Sequence, residues 1–206
     1  MANSLNSPIK LSKTFSTVLY LPGVISTIIL SLMWGAILNY DTGFLNTLLR
    51  STGLKALVRV WLGDPKLTIY VVILVNCWQW AGYHMLIFYA SLQAIPGDLY
   101  EAAQLDGASG FQCLFGITIP LMAGAVKMNV ILIIIGSFKC FDIVYAMTMG
   151  GPADSTQMLA TYMYHNTFRR FNFGYGSSIA MLIFVLCIVT ALLLQQWRFD
   201  SEDIQY

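Results

Sequence analysis

Four stretches of the chain are apolar enough and long enough to cross a lipid bilayer. They run over about residues 18–38, 69–92, 121–138 and 177–194, and polar segments separate them. A membrane helix needs about 20 predominantly apolar residues to cover the hydrocarbon core. The pattern therefore predicts an all-α membrane protein, a bundle of about four transmembrane helices forming a single domain over residues 1–206.

The composition supports a membrane protein. Hydrophobic residues make up 57% of the chain and charged residues 10%, whereas a soluble domain has about 25% charged residues. A net charge of +1 argues against a nucleic-acid partner. The polar N-terminus lacks the pattern of a cleaved signal peptide. We predict no metal site, because no metal-ligand spacing links the cysteines Cys77, Cys113, Cys140 and Cys187.

The polar segment between the second and third apolar stretches, residues 96–120, predicts two short helices. Asp98 is followed three residues later by Glu101, which fits a helix N-cap with a carboxylate that reaches back to it. Ser109 and Gln112 repeat the same capping pattern. The local signals therefore predict a helix, a turn and a second helix.

Gly107 separates these two predicted helices, because glycine suits the left-handed position that ends a helix. Pro120 closes the segment. Ala102 and Ala103 carry almost no side chain, so another surface could approach the first helix closely. Glu101 offers that surface a charge for a basic residue. An ordinary helical connecting loop would have the same features, so the residues alone leave both interpretations open.

The amino-acid sequence of this segment resembles the EAA loop of binding-protein-dependent ABC importer permeases. The resemblance rests on Glu101–Ala103, on Gly107, and, after nine intervening residues, on Ile117–Pro120. The longer run YEAAQLDGAS, Tyr100–Ser109, looks like the carbohydrate-uptake group, to which the maltose and glycerol-phosphate permeases belong. Ile119 departs from the pattern, since leucine is usual there, but the change is conservative. Other parts of the chain, such as LPGVISTIILSLMW, also resemble the sugar permeases.

The resemblance implies the permease subunit of an ATP-driven importer for a sugar or oligosaccharide, which works by alternating access. It implies three partners in a cell (inner) membrane: a cytoplasmic ABC ATPase dimer, a second permease subunit, identical or related, and an extracytoplasmic solute-binding protein. The chain has no GxxxxGK[ST] phosphate loop, so ATP would be hydrolysed by the partner. We expect no enzyme activity and no cofactor in this chain. The residues implied to couple to the ATPase are Glu101, Ala102, Ala103, Asp106, Gly107, Ile117 and Pro120.

The second apolar stretch is unusually polar for a membrane helix. Asn76, Gln79, Trp80 and Tyr83 recur at spacings of three and four, which places them on one helix face. Polar side chains at membrane depth usually face a bundle interior or a wet cavity. Amides and flat rings suit a sugar, and Ser137 lies where it could complete a pocket. We therefore predict that these five residues line the substrate, and hydrogen bonding between helices is the alternative.

Two further polar side chains in the apolar stretches have structural interpretations. We predict that His84 is a packed, hydrogen-bonded histidine, and that Lys127 extends back to the membrane interface. The loop Thr148–Pro152 resembles the TxGGP segment of the sugar permeases, as does the later Gly174–Gly176. In that family this external segment faces the binding protein. A plain surface loop is the alternative.

The charge distribution and the length of the chain each disagree with what the family resemblance implies. Lysine and arginine are commoner on the side opposite residues 96–120, and the positive-inside tendency would then place that segment outside the cell. The resemblance places it in the cytoplasm, where an ATPase can reach it, and we follow the resemblance. Members of the family usually carry six or more spans, so we expect two upstream spans to be missing.

The alternatives to an importer subunit differ in class. The short length makes a truncated, non-functional permease remnant the main one. An ion-coupled secondary transporter is less favoured, since its spans would be expected to carry paired carboxylates. A membrane enzyme is the least favoured, because His84 and His165 lie far apart in the sequence and no cluster of acid, base and nucleophile accompanies them.

Overall fold

The computed structural model describes residues 10–196, and its regular structure there is helical throughout. The polar lead before residue 10 and the tail from Trp197 onward lie outside the described residues. The main helices, in chain order, are α1 Lys10–Val24, α2 Thr27–Ile37, α3 Phe44–Ser51, α4 Pro65–Gln93, α5 Gly97–Leu105, α6 Gly110–Leu121, α7 Ala123–Phe138, α8 Asp142–Thr148, α9 Leu159–Tyr164 and α10 Phe173–Gln195.

Two helices among residues 10–196 are each long and apolar enough to cross a membrane. They are α4, with a mean hydropathy of 1.4, and α10, with 2.7. Two bent pairs, α1 with α2 and α6 with α7, each pass the same test when taken together. Residues 10–196 therefore contain two candidate spans, or up to four if each bent pair is one span. The prediction of an all-α membrane protein is confirmed.

The first predicted span, residues 18–38, is not one straight helix. Its α1 and α2 halves meet at an angle of 104°, and Ser26 has the extended backbone of a helix start (φ −52°, ψ 127°). A break inside a membrane helix frees backbone groups that need new partners. The Gln79 amide of α4 lies at this break, donating to Thr27 Oγ1 at 3.0 Å and reaching the Ile25 carbonyl at 3.5 Å.

Helices α1 and α4 approach each other closely at small residues. A Cβ at Gly82 would lie 2.2 Å from the Leu19 carbonyl oxygen, and one at Gly23 would lie 3.3 Å from the Gln79 carbonyl oxygen. Small residues at such crossings let backbones pack together in a membrane. Gly82 therefore fixes the spacing of the two helices.

The buried apolar core joins α2, α4 and α8. It consists of Leu30, Val72, Val75, Ile143 and Val144, which are almost completely excluded from solvent. Helix α8 follows α7 after a short bend, so this packing holds the end of α7 against α4. The bend itself lies beside the cavity described below.

The fourth predicted span, residues 177–194, is longer in the structure. Helix α10 begins at Phe173, so Gly174–Gly176 belong to its first turn and not to a loop. The Nζ atom of Lys127 donates to the Gln195 carbonyl at 2.7 Å. A cation is favourable at a helix C-terminus because the dipole is negative there. Lys127 thus binds α7 to the end of α10.

Candidate functional site

The helix pair α5 and α6 forms the first candidate site, and α5 begins two residues earlier than a cap at Asp98 requires. The residue before its first turn is Pro96, whose backbone is extended, and Asp98 already lies inside the helix. The N-cap is the residue just before the first helical residue, and Asp98 lies inside the helix. The predicted capping of α5 by Asp98 with Glu101 is therefore wrong. Asp98 instead places a carboxylate in the first turn, where the helix dipole favours negative charge.

The turn between α5 and α6 is as predicted. Gly107 has a φ of +78°, in the left-handed region. The amide of Ala108 donates to the Ala103 carbonyl at 2.9 Å, and that of Gly107 to the Gln104 carbonyl at 3.0 Å. This pair of bonds is the Schellman pattern, which satisfies the last carbonyls of a helix. The direction in which the chain leaves α5 is therefore fixed by local geometry.

The start of α6 is also as predicted. Gln112 Oε1 accepts from the Ser109 amide at 2.7 Å, and Ser109 Oγ accepts from the Gln112 amide at 3.4 Å, which completes a capping box. Pro120 lies one residue before the end of this helical segment. The helix passes through a π-helical turn at Leu114–Thr118 and ends at Leu121. Proline is tolerated near the start of a helical turn, where its missing amide has no partner to lose.

A side-chain hydrogen bond ties α5 to α6. The hydroxyls of Tyr100 and Thr118 lie 2.8 Å apart, and Thr118 is buried. The predicted coupling residues lie on these two helices, which the turn at Gly107 and this hydrogen bond connect. Of these, Ala103 and Ile117 are partly buried, and the exposed ones are Glu101, Ala102, Asp106, Gly107 and Pro120.

A cavity of about 460 Å³ forms the second candidate site. It lies between α4, α7 and the bend that leads to α8. Four of the five residues predicted to line a substrate lie on its wall: Asn76, Trp80 and Tyr83 from α4, and Ser137 from α7. The structure therefore brings together residues from two helices that the sequence could only place separately.

Gln79 does not line this cavity. Its side chain is completely buried and points to the break between α1 and α2, where it bonds to Thr27. Successive residues of a helix differ by about 100° in direction, so Gln79 cannot face the same way as its neighbour Trp80. The bond to Thr27 is an interhelical hydrogen bond, which was the alternative interpretation for the polar residues of α4.

His84 is hydrogen-bonded, as predicted. Its Nδ1 lies 2.6 Å from Oδ1 of the buried Asn129 on α7, and Asn129 also donates to the Ala125 carbonyl at 3.1 Å. The ring of Tyr83 contacts His84 edge to face at 5.3 Å and Trp80 at 6.0 Å. His84 also contributes to the cavity wall, so its bond to Asn129 positions one side of the candidate site.

Sequence reasoning missed the part of the wall between α7 and α8. Lys139, Cys140, Phe141 and Asp142 all line the cavity. They follow the third apolar stretch, and only the packing of α8 on the core turns them toward α4. Burial, and then the nearby Asp142 carboxylate, raise the pKa of the Cys140 thiol. The wall thus combines aromatic rings, amide and hydroxyl groups, and one charge of each sign.

An aromatic cluster adjoins the cavity on the α8 side. Phe141 stacks on Tyr145 at 5.0 Å, Tyr164 contacts both rings, and Phe168 contacts Tyr164 at 5.2 Å. Arg169 Nη2 donates to Tyr145 Oη at 3.1 Å. This bond lowers the pKa of Tyr145 and raises the pKa of Arg169. Aromatic packing therefore holds α8 against α9 and the turn that follows it. Residues 10–196 contain no group of three or more side chains suited to a metal ion.

Comparison with known proteins identifies the family. The family model for the binding-protein-dependent transport system inner membrane component matches residues 1–201. The chain belongs to this family. The resemblance of the chain to these permeases, and to their carbohydrate-uptake group, is confirmed.

Curated relatives of this permease-family chain are transport proteins. The probable ABC transporter permease protein YurN of Bacillus subtilis is 41% identical over 92% of this chain and 64% of its own length. The trehalose/maltose transport system permease protein MalF of Thermococcus litoralis is 34% identical over 96% of this chain and 66% of its own length. The chain therefore spans about two thirds of the length of these permeases.

A solved structure shows the same permease fold. It is a bacterial ABC transporter involved in the import of the acidic polysaccharide alginate, and it superposes with a TM-score of 0.83. The match covers 100% of this chain and 71% of the other, with 23% sequence identity. The overall arrangement of the helices therefore follows a fold that is known in a bacterial ABC transporter.

Proposed function

We propose that this chain is the transmembrane permease subunit of an ABC importer that carries a sugar or oligosaccharide. The observation that carries the proposal is the α5–Gly107–α6 turn, which places an exposed acidic and alanine-lined helix face beside the bent α6–α7 pair. Membership of the binding-protein-dependent family supports it. The trehalose/maltose permease among the relatives supports a carbohydrate as the cargo.

In this proposal α5 docks in a groove on a cytoplasmic ABC ATPase. Glu101 meets a basic residue of the ATPase, and Ala102 and Ala103 allow a close approach. Closure of the ATPase dimer on ATP moves α5, and the Tyr100–Thr118 bond passes that movement to α6 and α7. Such switching between inward and outward access is a rocking of helix bundles around a central site. ATP is hydrolysed by the partner, and the chain itself holds no cofactor.

The cavity beside α4 is the proposed substrate path. Trp80 and Tyr83 would cover the apolar face of a sugar ring, while Asn76 and Ser137 would exchange hydrogen bonds with its hydroxyls. A volume of about 460 Å³ is within the range of small-molecule sites. Gln79 is left out of this set because it bonds to Thr27 instead.

The proposed assembly sits in the cell (inner) membrane with residues 96–120 in the cytoplasm. A second permease subunit, identical or related, completes the pathway. An extracytoplasmic solute-binding protein delivers the cargo on the opposite side, where the aromatic cluster of Phe141, Tyr145, Tyr164 and Phe168 lies in this orientation. The alginate transporter, which has been crystallised with a periplasmic protein carrying an alginate pentasaccharide, offers a precedent for such an assembly.

The orientation is tested by labelling from each side of the membrane. Glu101→Cys and Arg170→Cys are made separately in a chain whose native cysteines are replaced by alanine; both positions are exposed. A membrane-impermeant maleimide should label residue 170 in intact cells and residue 101 only in inverted vesicles. Labelling of residue 101 in intact cells would remove any route to an ATPase and refute the proposal.

The substrate path is tested with two tryptophans of similar exposure on one helix. Trp80 lines the cavity and is 39% exposed, whereas Trp78 is 38% exposed and packs edge to face on Trp34. Uptake of labelled trehalose, maltose and lactose is measured in cells that contain the assembled importer. Trp80→Ala should lower the uptake of the transported sugar severalfold, and Trp78→Ala should affect it much less at equal expression. Equal losses would contradict the assignment of the cavity.

A further inference from the structure

Helix α6 carries a stripe of apolar side chains that the rest of the described chain leaves exposed. Phe111, Leu114, Phe115 and Ile119 recur at helical spacing and are all exposed, with Phe111 at 73% and Phe115 at 58%. The rings of Phe111 and Phe115 contact each other at 5.4 Å. Residues three and four apart share one side of an α-helix. The π-helical turn at Leu114–Thr118 changes this spacing, but all four side chains remain exposed and form one apolar stripe.

The opposite face of α6 is already occupied by the protein. Cys113 and Thr118 are buried there, and Thr118 bonds to Tyr100 of α5. The only strongly polar side chain in the first turn, Gln112, is held in the capping box with Ser109. One face of α6 is therefore buried against the protein on the side of α5, and the opposite face is apolar and exposed.

The charged residues of this segment belong to α5, and α6 carries none. Asp98, Glu101 and Asp106 all lie on α5 or at its end, and no charged residue occurs between Asp106 and Lys127. Burying α6 would therefore desolvate no ionised group. Helix α6 also runs directly into α7, which it meets at a 60° bend, and the two together form a candidate membrane span. The apolar face is thus continuous with a helix pair that fits the membrane.

We propose that α6 lies in the lipid interface with the stripe Phe111, Leu114, Phe115 and Ile119 in contact with the acyl chains. An amphipathic helix with aromatic and aliphatic residues on one face binds a bilayer in this way. Only α5 then projects into water. The bilayer supports α6 from one side and the Tyr100–Thr118 bond holds α5 on the other. This inference needs only the membrane fold and does not depend on sugar transport.

The test measures how deep α6 lies in a bilayer. The full chain, with its native cysteines replaced by alanine, is reconstituted into vesicles of phosphatidylcholine and phosphatidylglycerol. A nitroxide label is attached at Phe111→Cys or Phe115→Cys. References are Val185→Cys, on the apolar helix α10, and Leu105→Cys, which is 90% exposed on α5. Collision rates with oxygen, which concentrates in lipid, and with a water-soluble nickel chelate are recorded by electron spin resonance.

We expect labels at positions 111 and 115 to collide with oxygen severalfold more than the label at position 105. Their collision rates should stay below that of position 185, which lies at the middle of α10. Strong collision with the nickel chelate at both positions would place α6 in water and overturn the proposal. Restricted collision with both reagents would mean that protein covers the stripe, and would also overturn it. Phe111→Cys and Phe115→Cys are made as separate variants. If one of them does not fold, the other still provides the test.

Discussion

Substitution of Gly107 tests whether the turn between α5 and α6 transmits force from the ATPase. Glycine has a φ of +78° there, and a Cβ added to it would meet no atom within 4 Å. The Cβ of a substituted residue therefore causes no clash, so the effect of Gly107→Ala comes from the backbone. For an L-residue other than glycine, the left-handed conformation costs about 1–2 kcal/mol, with asparagine the best tolerated.

The unfavourable backbone conformation of a substituted residue would weaken two hydrogen bonds that hold the turn. They run from the amides of Ala108 and Gly107 to carbonyls in the last turn of α5. A change of about 1–2 kcal/mol alters the ratio of the native turn to competing conformations by about 5- to 30-fold. Helix α5 should still form, because its own residues are unchanged, but its direction relative to α6 should no longer be fixed.

The assay is co-purification of the partner ATPase with the permease, together with substrate uptake, in variants expressed to equal levels. We expect both to fall in the order Gly107→Asn, Gly107→Ala, Gly107→Val. Gly110→Ala is the matched control, because a Cβ there also meets no atom within 4 Å and its backbone is not left-handed. If Gly107→Val retained wild-type ATPase recovery and uptake, the mechanical role of the turn would be refuted.

Three other predictions concern helix packing and the cavity. Gly82→Ala should lower the Tm of the protein in detergent, because the new Cβ would overlap the backbone of α1 and overpacking costs about 1–3 kcal/mol; Gly35→Ala, with open space around its Cβ, should not. Tyr100→Phe removes the 2.8 Å bond to Thr118 and should speed amide hydrogen exchange in α5 while α7 keeps its protection. With Cys140 as the only cysteine, maleimide labelling at neutral pH should be slower than for a free thiol, since its raised pKa leaves less thiolate, and should recover as the pH is raised.

Each of these three has an outcome that would contradict it. Equal Tm values for the Gly82 and Gly35 variants would mean that α1 and α4 are not held in close contact. Unchanged exchange in α5 would mean that the Tyr100 hydroxyl does not tie it to α6. A labelling rate at Cys140 that follows a free thiol across the pH range would mean that the thiol is not desolvated.

The turn of residues 96–120 was predictable because its determinants are local. The left-handed conformation of Gly107 and the capping box of Ser109 and Gln112 depend on backbone geometry within a few residues. The error at Asp98 has the same origin. Asp98 fitted the pattern of a cap, but the extended backbone at Pro96 starts the helix two residues earlier than that cap would.

The sequence by itself determined that this protein is helical and membrane-embedded, and that α5, Gly107 and α6 form a turn, because apolar length and capping act within one segment. Only the tertiary structure decided what the polar residues of α4 contact. Gln79 bonds to Thr27 across 52 positions, and His84 to Asn129 across 45. Periodicity shows which residues share a helix face, but not which neighbouring helix that face meets. The 104° bend and the cavity wall after α7 depend on such distant contacts.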